Sequence, residues 1–497
     1  MKPNLKKALI ISTVALLLIA LVGGGWRYLG TKTFVRTTLS GLTLGSLFFM
    51  VAAGLTLIFG LMDVLNFAHG AMFMLGGYIG WQTYTNPTFI FGLAPSFFAF
   101  ATGVLILPAI KSYLINLTIG EKLQKAIPRI AYVLATLLAL IAFLKLNILD
   151  LADTAMVAIT TTATSNPLME LSAQEPLSVY WFRPLLLLIS GLLIAVALAK
   201  PGDKTEFAPK ENILPKLILP VFMLVATIIF VFVRESAPQA ILLMDGTWRF
   251  FLSLLLAIGF GFIFGAVIEI TLIRPLYVRS FFIVLLTLGL SFVIREVVQL
   301  LWDPLAYQMV RPPLFNQPGK AANLWDWFQN HNSTLDIFGV TFPSYRLFII
   351  ALGILMFIFI TILMNKSRLG MIIRAGVQDP EMVEALGINV RQVFTFVFAI
   401  GVALAALGGI GAAPFIPIQP LMGDQFQMQG FITVVIGGMG SYIGAFIGAF
   451  ILGMARAFGD YFALKFSLSP AIAEASTVII MIIVLTIRPS GLFGKKE

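Results

Sequence analysis

The sequence contains no cysteine, and its only two histidines, His69 and His331, stand far apart. The first absence excludes a disulfide framework, a thiol nucleophile and a cysteine-liganded metal. The second leaves no histidine pair at the spacing of a zinc-hydrolase helix. Charge is scarce as well: Asp, Glu, Lys and Arg make up 11% of the chain, against about 25% in soluble proteins. Gly319-Lys320 is followed by Ala321 and Gly494-Lys495 by Lys496, so no phosphate loop of the GxxxxGK[ST] type is present and ATP cannot be bound by that route. A lipid-modifying enzyme would need clustered His, Asp or Glu at an interface, and no cluster stands out. No catalytic residue, metal or cofactor is therefore expected. In place of charge the chain has 59% hydrophobic residues, in runs of about 20 that recur from end to end. That is the composition of an integral membrane protein.

The few charges are dealt out in a pattern. Basic residues fill alternate gaps between apolar runs: Lys111, Lys122, Lys125 and Arg129; then Lys200, Lys204, Lys210 and Lys216; then Arg274 and Arg279; then Lys366, Arg368, Arg374 and Arg391. The tail adds Arg488, Lys495 and Lys496. Residues 150–180 carry four carboxylates and no Lys or Arg, and 416–427 hold only Asp424. Cytoplasmic loops retain Lys and Arg, so the formal net charge of +10 records orientation. A nucleic-acid footprint would gather it on one face or tail, and no nucleic-acid partner is expected.

Candidate spans lie near 8–26, 37–60, 66–84, 89–110, 130–149, 181–199, 217–233, 249–273, 281–302, 344–364, 392–415 and 470–488. The run 428–462 cannot be a single crossing without placing the basic tail outside. Gly437, Gly438, Gly440 and Ser441 interrupt it, which predicts two pieces joined by a broken or re-entrant turn, the kind of interruption that builds transporter sites. The expected fold is an all-α polytopic transmembrane bundle of about 12–14 membrane segments, broken helices included. Residues 8–26, preceded by Lys2, Lys6 and Lys7 and followed by no small-x-small cleavage site, read as a first anchor helix.

Ionisable residues inside spans mark ion or proton relays. Glu269, Arg295 with Glu296, and Arg456 with Asp460 are the candidates. All but Arg456 sit near segment ends, where pairing or snorkelling is the simpler reading; for Arg456 both readings stay open. Gly261-x-x-x-Gly265, Gly444-x-x-x-Gly448 and the 405–411 run of small residues point to close helix packing.

Two stretches are more specific. In the first, Gly41 to Gly60 is a glycine-rich helix that breaks near Asp63–Asn66, after which Leu65-Asn-Phe-Ala-His-Gly70 opens a second one with Asn66 at the N-cap. A helix N-terminus inside a membrane protein offers N–H donors to a carboxylate. In the second, Arg374 to Arg391, Asp379 is placed to cap a short helix. Pro380 takes its first position, Glu381 to Leu386 form it, and Gly387 ends it before Ile388.

Together these residues resemble the branched-chain amino-acid ABC transporter permeases (Liv-type), in which Asn-Phe-Ala-His-Gly follows the first core helix and a Glu-Ala-Leu-Gly loop docks on an ATPase. Arg274-Pro-Leu276, Phe342-Pro-Ser-Tyr-Arg346, Gly437-Gly-Met-Gly-Ser441 and Arg488-Pro-Ser-Gly-Leu-Phe-Gly494 continue the resemblance in order, although Ile270 stands where the family usually has Arg. It divides the chain into an anchor (1–30), a first core part (31–84), an inserted transmembrane region (85–249) and a second core part (250–497) with a cytoplasmic coupling loop at 365–391.

The resemblance implies a permease subunit of an ATP-binding-cassette importer in the plasma (inner) membrane. It would carry branched-chain amino acids or related small amino acids and amides. Its partners would be a second homologous permease subunit, two ATP-binding subunits, an extracytoplasmic solute-binding protein received on the 303–343 loop, and the lipid bilayer. Asn66, His69, Gly70, Gly437, Gly438, Gly440 and Ser441 would line the substrate pathway, with the alternative that His69 only fixes the helix break. Asp379, Glu381, Glu384, Ala385, Leu386, Gly387 and Ile388 would couple to the ATPase. An ion-coupled secondary transporter, or a urea or amide permease of the same importer class, is the alternative reading.

Overall fold

A bilayer core offers no water to unpaired backbone groups, so apolar segments are driven to satisfy their own N–H and C=O groups as helices. The computed structural model of the protein follows that rule almost throughout. It describes residues 29–62, 65–115, 120–144, 181–199, 214–234, 236–277, 279–378 and 380–494. The expected anchor helix at 8–26, the whole of the acidic 150–180 gap, Asp63 and Asp379 lie outside those residues. Ten helices among the described residues are long and apolar enough to cross a membrane, and a shorter apolar helix covers Ala471–Ile487. The chain is a multi-pass membrane protein.

In chain order the first helices are α1 (Thr31–Met62), α2 (His69–Thr85), α3 (Pro87–Leu105), α4 (Leu107–Ile115), α5 (Glu121–Leu144) and α6 (Phe182–Ala199). Next come α7 (Leu214–Val233), α8 (Ser236–Leu243), α9 (Gly246–Ile268) and α10 (Ser280–Trp302). A connection then carries β1 (Gln317–Ala321), α11 (Leu324–Asn330), β2 (Asn332–Ile337) and β3 (Val340–Pro343). The chain closes with α12 (Ser344–Lys366), α13 (Arg368–Gln378), α14 (Pro380–Ala385), α15 (Val390–Ala412), α16 (Met422–Gly437), α17 (Tyr442–Lys465) and α18 (Ala471–Ile487). Two compact units emerge, one from residues 1–52, 311–358 and 432–497, the other from 53–310 and 359–431.

The larger unit is organised around α15, whose apolar window is 83% buried. Small residues let its neighbours approach to backbone contact. A Cβ placed on Gly409 would lie 1.9 Å from the Phe73 carbonyl oxygen, and one on Gly76 2.2 Å from the Ala406 Cα. On the α9 side, Gly261 and Gly265 would each bring a Cβ within 3.1 Å of the Ala403 and Ala399 Cα atoms. The glycine spacing on α9 and the 405–411 run are thus packing devices. Beside this core, α3 and α6 cross where Gly103 meets Gly191, Ser190 donates to the Ala135 carbonyl of α5 at 2.8 Å, and Phe230 of α7 packs on Phe91 and Phe98. Helices α5 and α7 leave most of their apolar side chains exposed, as lipid-facing helices do.

In the smaller unit, Gly41 and Gly45 of α1 meet Met454 and Phe450 of α17 backbone to backbone, and Phe357 of α12 stacks on Phe446 at 4.0 Å between ring centroids. The expected interruption of 428–462 is present. Helix α16 ends at Gly437, Gly438 and Gly440 take φ of +98° and +78°, and α17 starts after Ser441. Helix α16 begins at Met422, six residues before the expected start, so the first piece is a full four turns rather than a stub.

One element was not foreseen in an all-α reading. The connection after α10 folds a three-stranded sheet in the order β1-β2-β3, with β1 parallel and β3 antiparallel to β2. Phe338 and Gly339, both at positive φ, make the tight β2–β3 turn. An ion pair between Lys320 and Asp336 at 2.5 Å ties β1 to β2. The strands are only four to six residues long, too short to leave a strong alternating signal in an otherwise apolar sequence.

Candidate functional site

The first group of pathway residues lies at the break before α2. Asn66 is 1% exposed and His69 is fully buried. Asn66 does not cap the helix in the expected way. The N-cap position is Ala68, and the Asn66 Oδ1 accepts the Ala68 N–H at 3.0 Å, closing a local turn ahead of the helix. The helix N–H groups that need an outside partner find it in a remote side chain. Gln427 of α16 accepts the Gly70 N–H through its Oε1 and returns a hydrogen bond from its Nε2 to the Asn66 carbonyl at 3.3 Å. The Phe67 N–H donates to the Thr287 hydroxyl of α10 at 3.2 Å. Stacking of Phe73 on Phe426, with centroids 4.6 Å apart, holds α16 against α2. The His69 ring lies over Gly54, where a Cβ would come within 2.8 Å of its Nε2.

Gln427 went unnoticed in the sequence. The signal available was three glutamines, Gln425, Gln427 and Gln429, in an otherwise apolar run. Gln427→Leu would strand a buried amide N–H and a carbonyl, at a cost of about 1–3 kcal/mol. The expected result is a lower melting temperature of the purified chain, with Gln427→Glu milder. A melting temperature equal to wild type for Gln427→Leu would show the amide to be idle.

The second group, Gly437 to Ser441, belongs to the smaller unit. Ser441 is the N-cap of α17, accepting the Gly444 N–H at 3.1 Å. The C-terminal segment supplies partners for the last carbonyls of α16: the Leu492 N–H donates to Ile436 at 2.8 Å and the Phe493 N–H to Gly437 at 2.9 Å. A Cβ on Gly438 would lie 2.3 Å from the Gly494 nitrogen, and one on Gly444 2.0 Å from the Gly437 oxygen. Positive φ and this close approach account for glycine at 437, 438 and 444. Met439 and Gly440 remain exposed at the tip of the turn.

On the basic side of the larger unit, α9 runs into a π-turn at Glu269–Ile273 and a short 3-10 turn at Arg274–Leu276. Such insertions into a helix often mark functional positions. Here the turn aims Glu269, fully buried, at Arg274, whose guanidinium grips the carboxylate with both oxygens at 3.2 and 2.8 Å. The Tyr277 hydroxyl donates to the same carboxylate, and Arg274 also donates to Thr395 in the first turns of α15. Asn389 caps α15, its Oδ1 accepting the Gln392 N–H at 3.2 Å. Helix α15 thus carries a tie to the end of α9 just after the 365–391 loop.

That loop holds α13 and α14. Helix α14 spans Pro380–Ala385, and Gly387 follows at φ +82°. The Ile388 N–H donates to the Val383 carbonyl at 3.3 Å and the Gly387 N–H to the Glu384 carbonyl at 2.9 Å. This is a Schellman close, and it ends the helix at the residue the sequence indicated. Glu384, Ala385 and Gly387 face outward, and the apolar Met382 and Leu386 are 58% and 72% exposed. Asp379 lies outside the described residues, and for Glu381 only its place in α14 is described. The remaining ionisable candidates are paired: Arg295 with Asp424 at 2.7 Å and Glu296 at 3.6 Å, and Arg456 with Asp460 at 3.6 Å and Glu474 at 3.4 Å.

A polytopic helical bundle with an interrupted helix, paired charges on apolar helices and a short exposed helix in a basic loop is the architecture of a multi-pass membrane protein. The family described as the permease component of branched-chain amino acid transport systems matches residues 220–485. The chain belongs to this family. It is similar to the high-affinity branched-chain amino acid transport system permease protein LivH of Escherichia coli K12, at 29% identity over 236 residues that cover 47% of this chain and 71% of LivH. It is 30% identical over 237 residues to BraD, the corresponding high-affinity permease protein of Pseudomonas aeruginosa, with the same shares. The probable LivH of Methanocaldococcus jannaschii is 28% identical over 144 residues, 28% of this chain and 45% of the relative. No solved structure matches.

Proposed function

We infer that the protein is the membrane-spanning subunit of an ATP-driven importer of branched-chain amino acids, with other small amino acids and amides as the next candidates. It pairs with a second permease subunit, takes substrate from an external binding protein at the 303–343 connection, and is driven by two ATP-binding subunits through residues 379–388. The substrate-pathway candidates are Asn66, His69 and Gly70 in the larger unit and Gly437, Gly438, Gly440 and Ser441 in the smaller one. Residues 85–249 are an insertion into the family core. The chain itself carries out no covalent chemistry; closure of the ATP-binding subunits shifts the transporter between outward and inward states.

The observation that carries the reading is α14. A six-residue helix closed by its own Schellman turn, presenting Met382, Glu384 and Leu386 outward and continuous with the buried α15, has the form of a plug for a partner's cleft. An apolar anchor beside a carboxylate suits a protein partner better than water. Purification of the chain from its native membrane is expected to bring down ATP-binding subunits, whose ATPase rate rises when binding protein loaded with leucine, isoleucine or valine is added. Transport by the chain alone in liposomes, without ATPase subunits, would overturn the assignment.

A further inference from the structure

The connection after α10 carries an exposed apolar face on α11. Leu324, Trp325 and Phe328 point outward there, at 61%, 72% and 62% exposure. With about 3.6 residues per turn the three fall on one side of the helix. Asp326 and Asn330 fall on the other, where the Asp326 carboxylate accepts the Ala322 N–H and the Asn330 amide, each at 2.7 Å. Trp325 has neither a hydrogen bond nor a ring contact among the described residues. Exposed apolar patches of this kind mark contact with protein or with membrane.

The sheet decides where this face sits. Helix α11 leads from β1 into β2 at Asn332, and Thr334 of β2 pairs with Pro343 of β3, the residue before α12. The end of the sheet that holds α11 is therefore the end that enters a membrane helix. The β2–β3 turn, with Phe338 86% exposed, is the opposite end. Trp327 fixes the level of α11: its ring stacks on Phe315 at 5.6 Å, and Phe315 packs on Tyr345 and Phe348 of α12 at 5.4 and 5.1 Å. Helix α12 has 23 residues, about 35 Å at 1.5 Å per residue, against a hydrocarbon core of about 30 Å. Its first turns thus lie at the headgroup boundary, and further along it exposes Ile354, Leu355 and Ile358 as a lipid-facing helix does. We propose that α11 lies in the membrane interface, with Leu324, Trp325 and Phe328 dipping into the leaflet beside α12 and pinning the sheet to the bilayer. Trp and Phe on the apolar face of an interfacial helix bind lipid in this way. The turn at Phe338 stands away from the bilayer and stays open to a water-borne partner. The inference rests on the membrane class of the chain and stands whichever substrate is carried.

The chain has no cysteine, so Trp325→Cys, Phe328→Cys and Phe338→Cys each give a single site for a nitroxide label. The full-length chain is reconstituted alone in phosphatidylcholine vesicles. Collisions of the label are then counted with oxygen, which concentrates in lipid, and with a water-soluble nickel chelate. Labels at 325 and 328 should show a several-fold higher ratio of oxygen to nickel collisions than the label at 338. Phe328→Asp, which puts a charge on the face, should shift the label at 325 towards nickel while the melting temperature in detergent stays at the wild-type value. Nickel collisions at 325 and 328 as frequent as at 338 would put the face in water, and shielding from both reagents would give it to a second copy of the chain. Either result would overturn the proposal.

Discussion

Gly387→Pro is expected to abolish ATP-driven uptake while the chain still inserts into the membrane. Gly387 sits at φ +82° and its N–H donates to the Glu384 carbonyl. Proline fixes φ near −65° and has no N–H, so both conditions of the Schellman close fail together. The turn that lets Ile388 bond back to Val383 is then lost, and α14 can no longer hand the chain to the Asn389 cap at its present angle. Of the helix's described side chains only Val383 is buried, Met382, Glu384 and Ala385 being exposed, so membrane insertion and the melting of the bundle should change little. Uptake should fall at least roughly tenfold, a change that corresponds to only about 1.4 kcal/mol. Gly387→Asn, which tolerates positive φ, should keep more activity than Gly387→Pro. Glu384→Lys tests the same surface by charge, since Glu384 is exposed and its reversal alters only what a partner meets. Uptake by Gly387→Pro and Glu384→Lys at the wild-type rate would remove α14 from the coupling path.

Arg274→Leu is expected to be the most destabilising single change in the described residues of the larger unit's basic side. It would leave the Glu269 carboxylate, fully buried, without its cation. Removing one partner of a buried ion pair costs about 3–5 kcal/mol, because the remaining charge stays desolvated. Glu269→Gln should be milder, since an amide can still accept from Tyr277. The double variant Glu269→Leu with Arg274→Leu should recover much of the loss, the signature of a coupled pair. Thermal melting of the purified chain in detergent reads all three. A double variant as unstable as the Arg274→Leu single would mean that the arginine acts through Thr395 alone.

The uneven legibility of these sites has a physical origin. The end of α14 at Gly387 and the break between α16 and α17 were visible because both are local. A glycine at positive φ, a proline at a first helical position and a serine at an N-cap act over one turn of chain. The Asn66 cap was misplaced because the sequence can show that a helix start needs donors satisfied, and not which side chain arrives. Gln427 comes from 357 residues away. The same holds for the relay question at Arg456 and Arg295: an ionisable residue in an apolar run looks alike whether its partner is one turn away, as Asp460 is, or on another helix, as Asp424 and Glu474 are.

What the sequence by itself determined is therefore what hydropathy, charge order and backbone preference decide turn by turn. It set the membrane class, the positions of most spans, the interrupted helix at 437–441 and the short helix of the 365–391 loop. Only the tertiary structure decided that Gln427 closes the start of α2, that a π-turn delivers Glu269 to Arg274 and Thr395, and that a small sheet crowns the connection after α10. Each of those depends on which two surfaces meet. In a chain whose helices are nearly all apolar, that choice rests on where glycines permit contact and where a few polar groups find each other, which local periodicity does not carry.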